Sequence, residues 1–425
     1  MRLQKRTHPE SPASYKARQD DRSTEAALMA KDPWERWIPG VLSQAQVREL
    51  CSTGLLSGVT DDAYDPSSID LTLSEDAYAL THGSVKPGDS NYLFALKRDG
   101  LVTPLRPDAD GHFLLSPKKT YLFKLEQRFS LLQRISNAGI HGQATAKSSI
   151  GRLDILARLV VDGMHGYEGF DPAGIGRGTG DMYLEITPLT FAVEVQTGIA
   201  LSQLRLFYGS PADAEISGDA LWRTVFPATG SPEGKLSLNL EPTDVGGLQA
   251  VAFSSKRDVP EPIRLWPSSA IPPPDPCRYW KVHVATTSKR LPITPGDFYI
   301  LRSKERMWIP PGVAVYCRAS DETIGEMRIH YAGFVHPYFG SGRKDSQLGT
   351  PLIFEVRGHD FLVNLEDGEQ MARLTFFRMS DDAGEVSAPA YTDQQLQLSK
   401  FFASWPPVLT ADAEGNVSPS TRVTS

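Results

Sequence analysis

"YLEITPLTFAVEVQTGIALSQLRLF", residues 183–207, and "IFEVRGHDFLVNLEDGEQMARLTFF", residues 353–377, align without a gap, matching Glu185 to Glu355 and Gly198 to Gly368. Both stretches alternate apolar and polar residues in short runs broken by Gly, Asp or Pro, the mark of strands joined by turns. Working outward, "LSPKKTYLFKLEQRFSL" (115–131) matches "ITPGDFYILRSKERMWI" (293–309), and "AKSSIGRLDI" (146–155) matches "SDETIGEMRI" (320–329). "SIDLTL" (68–73) has an echo in "KLSLNL" (235–240). The order is the same in both halves, so the chain carries an internal duplication.

The 425 residues therefore read as two copies of one β domain, 39–210 and 211–400, after a mobile N-terminal tail (1–38) and before a C-terminal tail (401–425). The fold class is all-β with minor α content, a barrel or sandwich in each copy. The one clear helix is "LSQAQVRELCSTGLL" (42–56), with Ser43 as its N-cap and Gly54 near its stop. "VPEPIRLWPSSAIPPPDPC" (259–277) interrupts the second copy, and its prolines, which cannot donate to a ladder, predict a stiff loop.

Composition narrows the function. With 40% hydrophobic and 22% charged residues the chain is an ordinary globular protein, without a run long enough to span a bilayer. Its N-terminus is polar and lacks the apolar centre of a secretory signal. A net charge of -7 gives no global attraction to nucleic acid or anionic lipid, so an anionic ligand needs a local cluster of cations. Three scattered cysteines, Cys51, Cys277 and Cys317, suit a reducing cytoplasm.

Glu185 shares a strand face with Tyr183, opposite Leu184 and Ile186. Alternation alone reads it as solvent-facing. Its recurrence as Glu355 inside an apolar run points instead to a desolvated carboxylate on an inward face, with a proton affinity raised toward that of a general base at neutral pH. Lys147, Ser148, Ser149 and Arg152 crowd two cations and two hydroxyls into six residues. Such a run is either a polar turn or an oxyanion site of guanidinium, ammonium and short donors. It is not a Walker A loop, and "GIGRGTG" (174–180) reads as a flexible loop beside the site, not a dinucleotide fingerprint. No H-E-x-x-H pair, G-x-S-x-G elbow or P-C-x-x-C zinc-deaminase signature occurs.

"DPSSIDLTLS" (65–74), "AKSSIGRLDI", "GFDP" (169–172), "YLEITP" and "GIALSQLRL" (198–206), in this order, resemble the dCTP deaminases of the dUTPase-like superfamily. The tandem copies resemble the long bacterial form. The resemblance implies two distorted jelly-roll barrels, trimer-type barrel contacts in a homo-oligomer, and zinc-free hydrolysis of dCTP to dUTP with magnesium held by the triphosphate. It implies Glu185 as general base, Ser148 holding water or the amino group, and Arg152 binding phosphate or stabilising the site. Lys147 and Ser149 match triphosphate-binding positions, Asp171 the deoxyribose contact with Asp162 as its rival, and Gln203 a glutamine that closes over the nucleotide. Feedback by thymidine triphosphate belongs to the same expectation.

The second copy departs from this pattern: Glu322 stands opposite Ser148, Glu326 opposite Arg152, Arg373 opposite Gln203, and His336 opposite Asp171. The second barrel is therefore expected to be structural, with Glu355, Arg328 and His330 as its possible contributors to a composite pocket. Two other functions remain beside deamination. One is dUTP pyrophosphatase or bifunctional chemistry through Asp162 or Asp171, and the other is a non-catalytic nucleotide-binding regulator.

Overall fold

A computed structural model describes residues 32–88, 91–228, 232–257, 259, 261–319, 327–329, 333–341, 349–384 and 394–420, without side chains for 232 and 327–329. Residues 1–31 of the expected tail, together with Glu322, Glu326 and His330, lie outside the described residues. Among the described residues no helix is long and apolar enough to cross a membrane.

The chain is all-β with minor helix and forms two barrels. In the first, seven strands run in the order Gly169–Phe170, Ile140–Ala146, Ala200–Tyr208, Ser68–Leu80, Tyr121–Phe129, Asp181–Pro188, Ile155–Val161. The second keeps the neighbour order but divides it between two sheets, one with Gly333–Val335, Val313–Ala319, Gln370–Arg378 and Lys235–Ser237, the other with Phe298–Met307, Thr350–Gly358 and Met327–Ile329. Glu185 lies opposite Leu122 on Tyr121–Phe129, and Glu355 lies opposite Ile300 on Phe298–Met307. Those partners are themselves matched in the sequence repeat, so the duplication extends to strand register. Gly198 and Gly368 both take positive φ, +85° and +88°, at corresponding turns where a side chain would be strained. The expected helix is Gln44–Ser52, capped by Ser43 in a reciprocal capping box with Gln46.

Three expectations change. The proline-rich segment is not only a loop: Ile263–Arg264 pairs in parallel with Val193–Glu194 of the first copy, and Arg264 forms a 2.9 Å ion pair with Glu194. Proline excludes only the residues that must donate, and "IR" has none. The C-terminal residues are not wholly a solvated tail, because Leu409–Ala411 and Val417–Pro419 form a hairpin that buries Leu409 and Val417. Just before it, Phe402 packs against Phe191, Tyr279 and Trp280, with ring centroids 5.3–6.4 Å apart. The glycine-rich loop is closely packed at Gly178, where an added Cβ would fall 2.1 Å from the Asp162 carbonyl oxygen.

The two barrels meet through Val41, Phe207, Tyr316, Phe334, Phe377 and Met379. Phe207 and Phe377, equivalent in the repeat, contact each other edge to face at 5.2 Å. Beside them the fully buried Arg205 stacks at 3.9 Å on Phe334 and donates to the Val315 carbonyl at 2.9 Å. Burial pulls this guanidinium down to about 9. Phe207→Ala removes the central ring of this contact and is expected to cost about 3–5 kcal/mol, read as a lower urea midpoint.

Candidate functional site between the barrels

The alternation of Asp181–Pro188 puts Leu184 and Ile186 in the main core and Glu185 on the opposite face. Thr350–Gly358 does the same, with Phe354 and Val356 in the second core and Glu355 on the outer face. Neither glutamate points into its own barrel, as an inward-facing base was expected to do. Both are buried nonetheless, at 1% and 7% exposure, because a different layer covers each.

Glu185 is covered by its own domain. The helix Tyr92–Arg98 and the segment before it lie over it, and Arg158, directly opposite on Ile155–Val161, forms an ion pair with its carboxylate. Ser84 donates to Oε1 at 2.7 Å. The hydroxyls of Tyr92 and Tyr167 lie 3.4 and 3.2 Å from Oε2, and each also reaches the Val85 carbonyl, at 2.6 and 2.9 Å.

Glu355 is covered by the other barrel. Arg152, 6% exposed, ends the turn Ser148–Gly151 and brings Nε to 3.9 Å from Glu355 Oε1. Arg152 also donates to Gln394 Oε1 at 2.9 Å and to the Leu398 carbonyl at 3.4 Å. Ser399 Oγ donates to the Ser149 carbonyl at 2.7 Å, so residues 394–399 lie across the turn. Burial pushes the Glu355 carboxyl up to about 7, and Arg152 moderates that rise. The same carboxylate adds to the burial that raises the Cys317 thiol to about 12.

The structure thus gathers Arg152, Ser149, Glu355 and Gln394, while the described partners of Glu185 all come from the first barrel. Ser148 opens the turn, and Lys147 forms an ion pair with Asp70 of its own barrel. Desolvation raises the Asp70 carboxyl despite that lysine. Asp171 caps the turn Pro172–Ile175, accepting from Gly174 N at 2.7 Å. Asp162, its rival, is buried. It accepts from Tyr92 N at 2.9 Å, Asn91 Nδ2 at 2.8 Å and Thr179 Oγ1 at 2.6 Å, and burial raises its carboxyl. Gln203 is held between the barrels by Ser68 at 3.1 Å and His336 at 3.0 Å. That histidine is pushed by burial down to about 3 and serves the barrel contact. Arg328 lies on the strand Met327–Ile329.

Gln394 and Arg158 were not identified from sequence. Gln394 stands in "TDQQLQLSK", a polar run past the last repeated strand, and Arg158 becomes visible only once strand register is known. Among the described residues, Asp108, Asp110 and His112 form the one metal-sized group. Asp108 Oδ1 already accepts from the amides of Asp110 and His112, at 3.0 and 2.8 Å, so the group is a self-bonded exposed turn.

The same two copies are recognised by family comparison. Residues 38–210 match the model of the 2'-deoxycytidine 5'-triphosphate deaminase N-terminal domain, and residues 236–402 match that of the C-terminal domain. The chain belongs to the dCTP deaminase family, a family of hydrolytic deaminases. A crystal structure of 2'-deoxycytidine 5'-triphosphate deaminase from Agrobacterium tumefaciens is similar at a TM-score of 0.70 and 28% identity, covering 81% of this chain and 96% of that one. None of the curated proteins compared matches the chain. The two family domains coincide with the two copies of the repeat, of which the first has the S-S-x-x-R sequence and the second does not.

Proposed function

We propose that the protein hydrolyses dCTP to dUTP and ammonia at a site shared by its two barrels, with Glu355 as general base and Arg152 as the cation beside it. The contact between Arg152 and Glu355, two buried groups from different copies, carries this reading. A carboxyl titrating near neutrality both accepts and returns a proton at physiological pH, which the reaction requires. Glu355 takes a proton from water as its oxygen attacks cytosine C4, and delivers that proton to N3. It then carries the second proton from the new hydroxyl to the amino nitrogen. The C4–N bond breaks, ammonia leaves, and C4 becomes the carbonyl of uracil.

Ser148 and Ser149 border the same turn and suit orientation of water or phosphate oxygens, with Lys147 and Arg152 supplying positive charge that the whole chain lacks. Magnesium enters with the triphosphate as part of the substrate, and the water is activated without zinc. Gln394, hydrogen-bonded to Arg152, fits the closing role better than Gln203, which the barrel contact holds. The nucleotide enters as residues 394–399 yield their bonds to Arg152 and Ser149. The second copy then contributes the base, and its missing S-S-x-x-R turn is supplied by the first.

Incubation with dCTP and magnesium tests the function. Ammonia with dUTP supports it, pyrophosphate with dUMP supports the pyrophosphatase or bifunctional reading, and nucleotide binding without turnover supports a regulator. A second location for the base, Glu185, has its own support in the hydroxyls and guanidinium around that carboxylate. Glu185→Gln separates the two. With Glu355 as base, the variant keeps Arg158 on the Ser84 hydroxyl and over the Tyr167 ring, loses on the order of 1–3 kcal/mol of stability, and retains turnover of the same order in its folded fraction. Abolished turnover in a stably folded Glu185→Gln protein would move the chemistry to the first barrel.

A further inference from the structure

Glu355 and Arg357 stand two residues apart on Thr350–Gly358 and share a face. Arg152 and Asp154 stand two residues apart in the turn that meets it. Across the barrel boundary the charges pair in opposite senses: Arg152 faces Glu355, and Asp154 forms an ion pair with Arg357. We propose that Asp154 and Arg357 are positioning residues that hold the first barrel's turn in register with the second barrel's glutamate. The inference rests on Glu355 being the base.

Asp154 is fully buried and takes φ +59°, in the left-handed region that aspartate tolerates better than most side chains. Its carbonyl accepts from Leu189 N at 2.9 Å, and its carboxylate accepts from Thr190 Oγ1 at 2.5 Å as well as from Arg357. Arg357 Nη1 also reaches Thr190 Oγ1 at 3.2 Å. The residue that ends the Arg152 turn is therefore fastened to the strand that carries Glu355. In the repeat, Arg328 stands opposite Asp154 and Thr187 opposite Arg357, so this pair belongs to one barrel contact and is not inherited by both copies.

Positioning matters because an error of about 1 Å at a reacting group costs on the order of 10²-fold in rate. The pair also sets the local field. Glu355 is faced by Arg152 from the turn and Cys317 from Val313–Ala319. Arg357 lies about 7 Å along its own strand and is neutralised by Asp154.

The test uses the full chain with dCTP and magnesium, comparing Asp154→Asn and Arg357→Met in kcat, KM, thermal unfolding and the pH dependence of kcat. Asparagine tolerates positive φ, so Asp154→Asn decides the matter even if Arg357→Met does not fold. Each variant is expected to lower kcat by about 10–100-fold with little change in KM. The acid limb should move down in Asp154→Asn, where Arg357 loses its counter-charge, and up in Arg357→Met, with Arg357→Lys returning it. An unmoved pH profile overturns the inference, whether kcat is unchanged or falls only as far as the folded fraction falls. An active Glu355→Gln protein would remove the underlying base assignment. An inactive one alongside unaffected Asp154→Asn and Arg357→Met would remove the positioning role alone.

Discussion

Glu355→Gln is expected to eliminate deamination, lowering kcat by about 10²–10⁴-fold while dCTP binding persists. The amide keeps the size of the side chain but neither takes a proton from water nor carries one to N3. The parent enzyme should lose activity below about pH 7, where Glu355 protonates, and the variant should show no such limb. Stability is expected to move the other way. A carboxyl that binds its proton more tightly in the folded state contributes stability below its unfolded value near 4.5, and this is lost as pH rises toward 7. Glu355→Gln should therefore unfold at a higher temperature than the parent at pH 8 and nearly together with it at pH 4. Calorimetry at both values, beside an ammonia assay, checks the pair of effects. Full activity in the variant would displace Glu355.

Arg152→Ala carries the second large effect. Its guanidinium is the only group seen to join Glu355, the Gln394 amide and the Leu398 carbonyl among the described residues. Without it, kcat/KM is expected to fall by about 10²–10³-fold, the scale for losing one charge-stabilising donor. Arg152 also holds the Glu355 proton affinity down, so the acid limb of the residual rate should move to higher pH. Steady-state kinetics between pH 6 and about 9 separate this from a simple loss of fold, which would leave the limb in place.

Much of the architecture was legible because the repeat constrains register. Matching Tyr121 with Tyr299 and Glu185 with Glu355 predicts equivalent strand neighbours, and Leu122 and Ile300 are those neighbours. The capping box at Ser43 was equally readable, since its two partners are three residues apart. The site was only half legible. Alternation separates the faces of Asp181–Pro188 and Thr350–Gly358 but says nothing about what covers the outer one. For Glu185 the cover is a helix from residues 92–98, and for Glu355 it is the other barrel. Membership in a repeat suggested that the intact turn and its own copy's glutamate work together. The fold brings the turn of one copy against the glutamate of the other, a contact across some 200 residues that no local pattern encodes.

The parallel strand Ile263–Arg264 has a further physical meaning. A strand from one copy completes a small sheet of its neighbour, and a continuous backbone ties the two together. Their association is then an internal, first-order event at a high effective concentration, not an encounter between separate molecules. Arg152 and Glu355 therefore stay together on dilution, and exchange for a mismatched partner barrel requires breaking a sheet as well as an apolar contact.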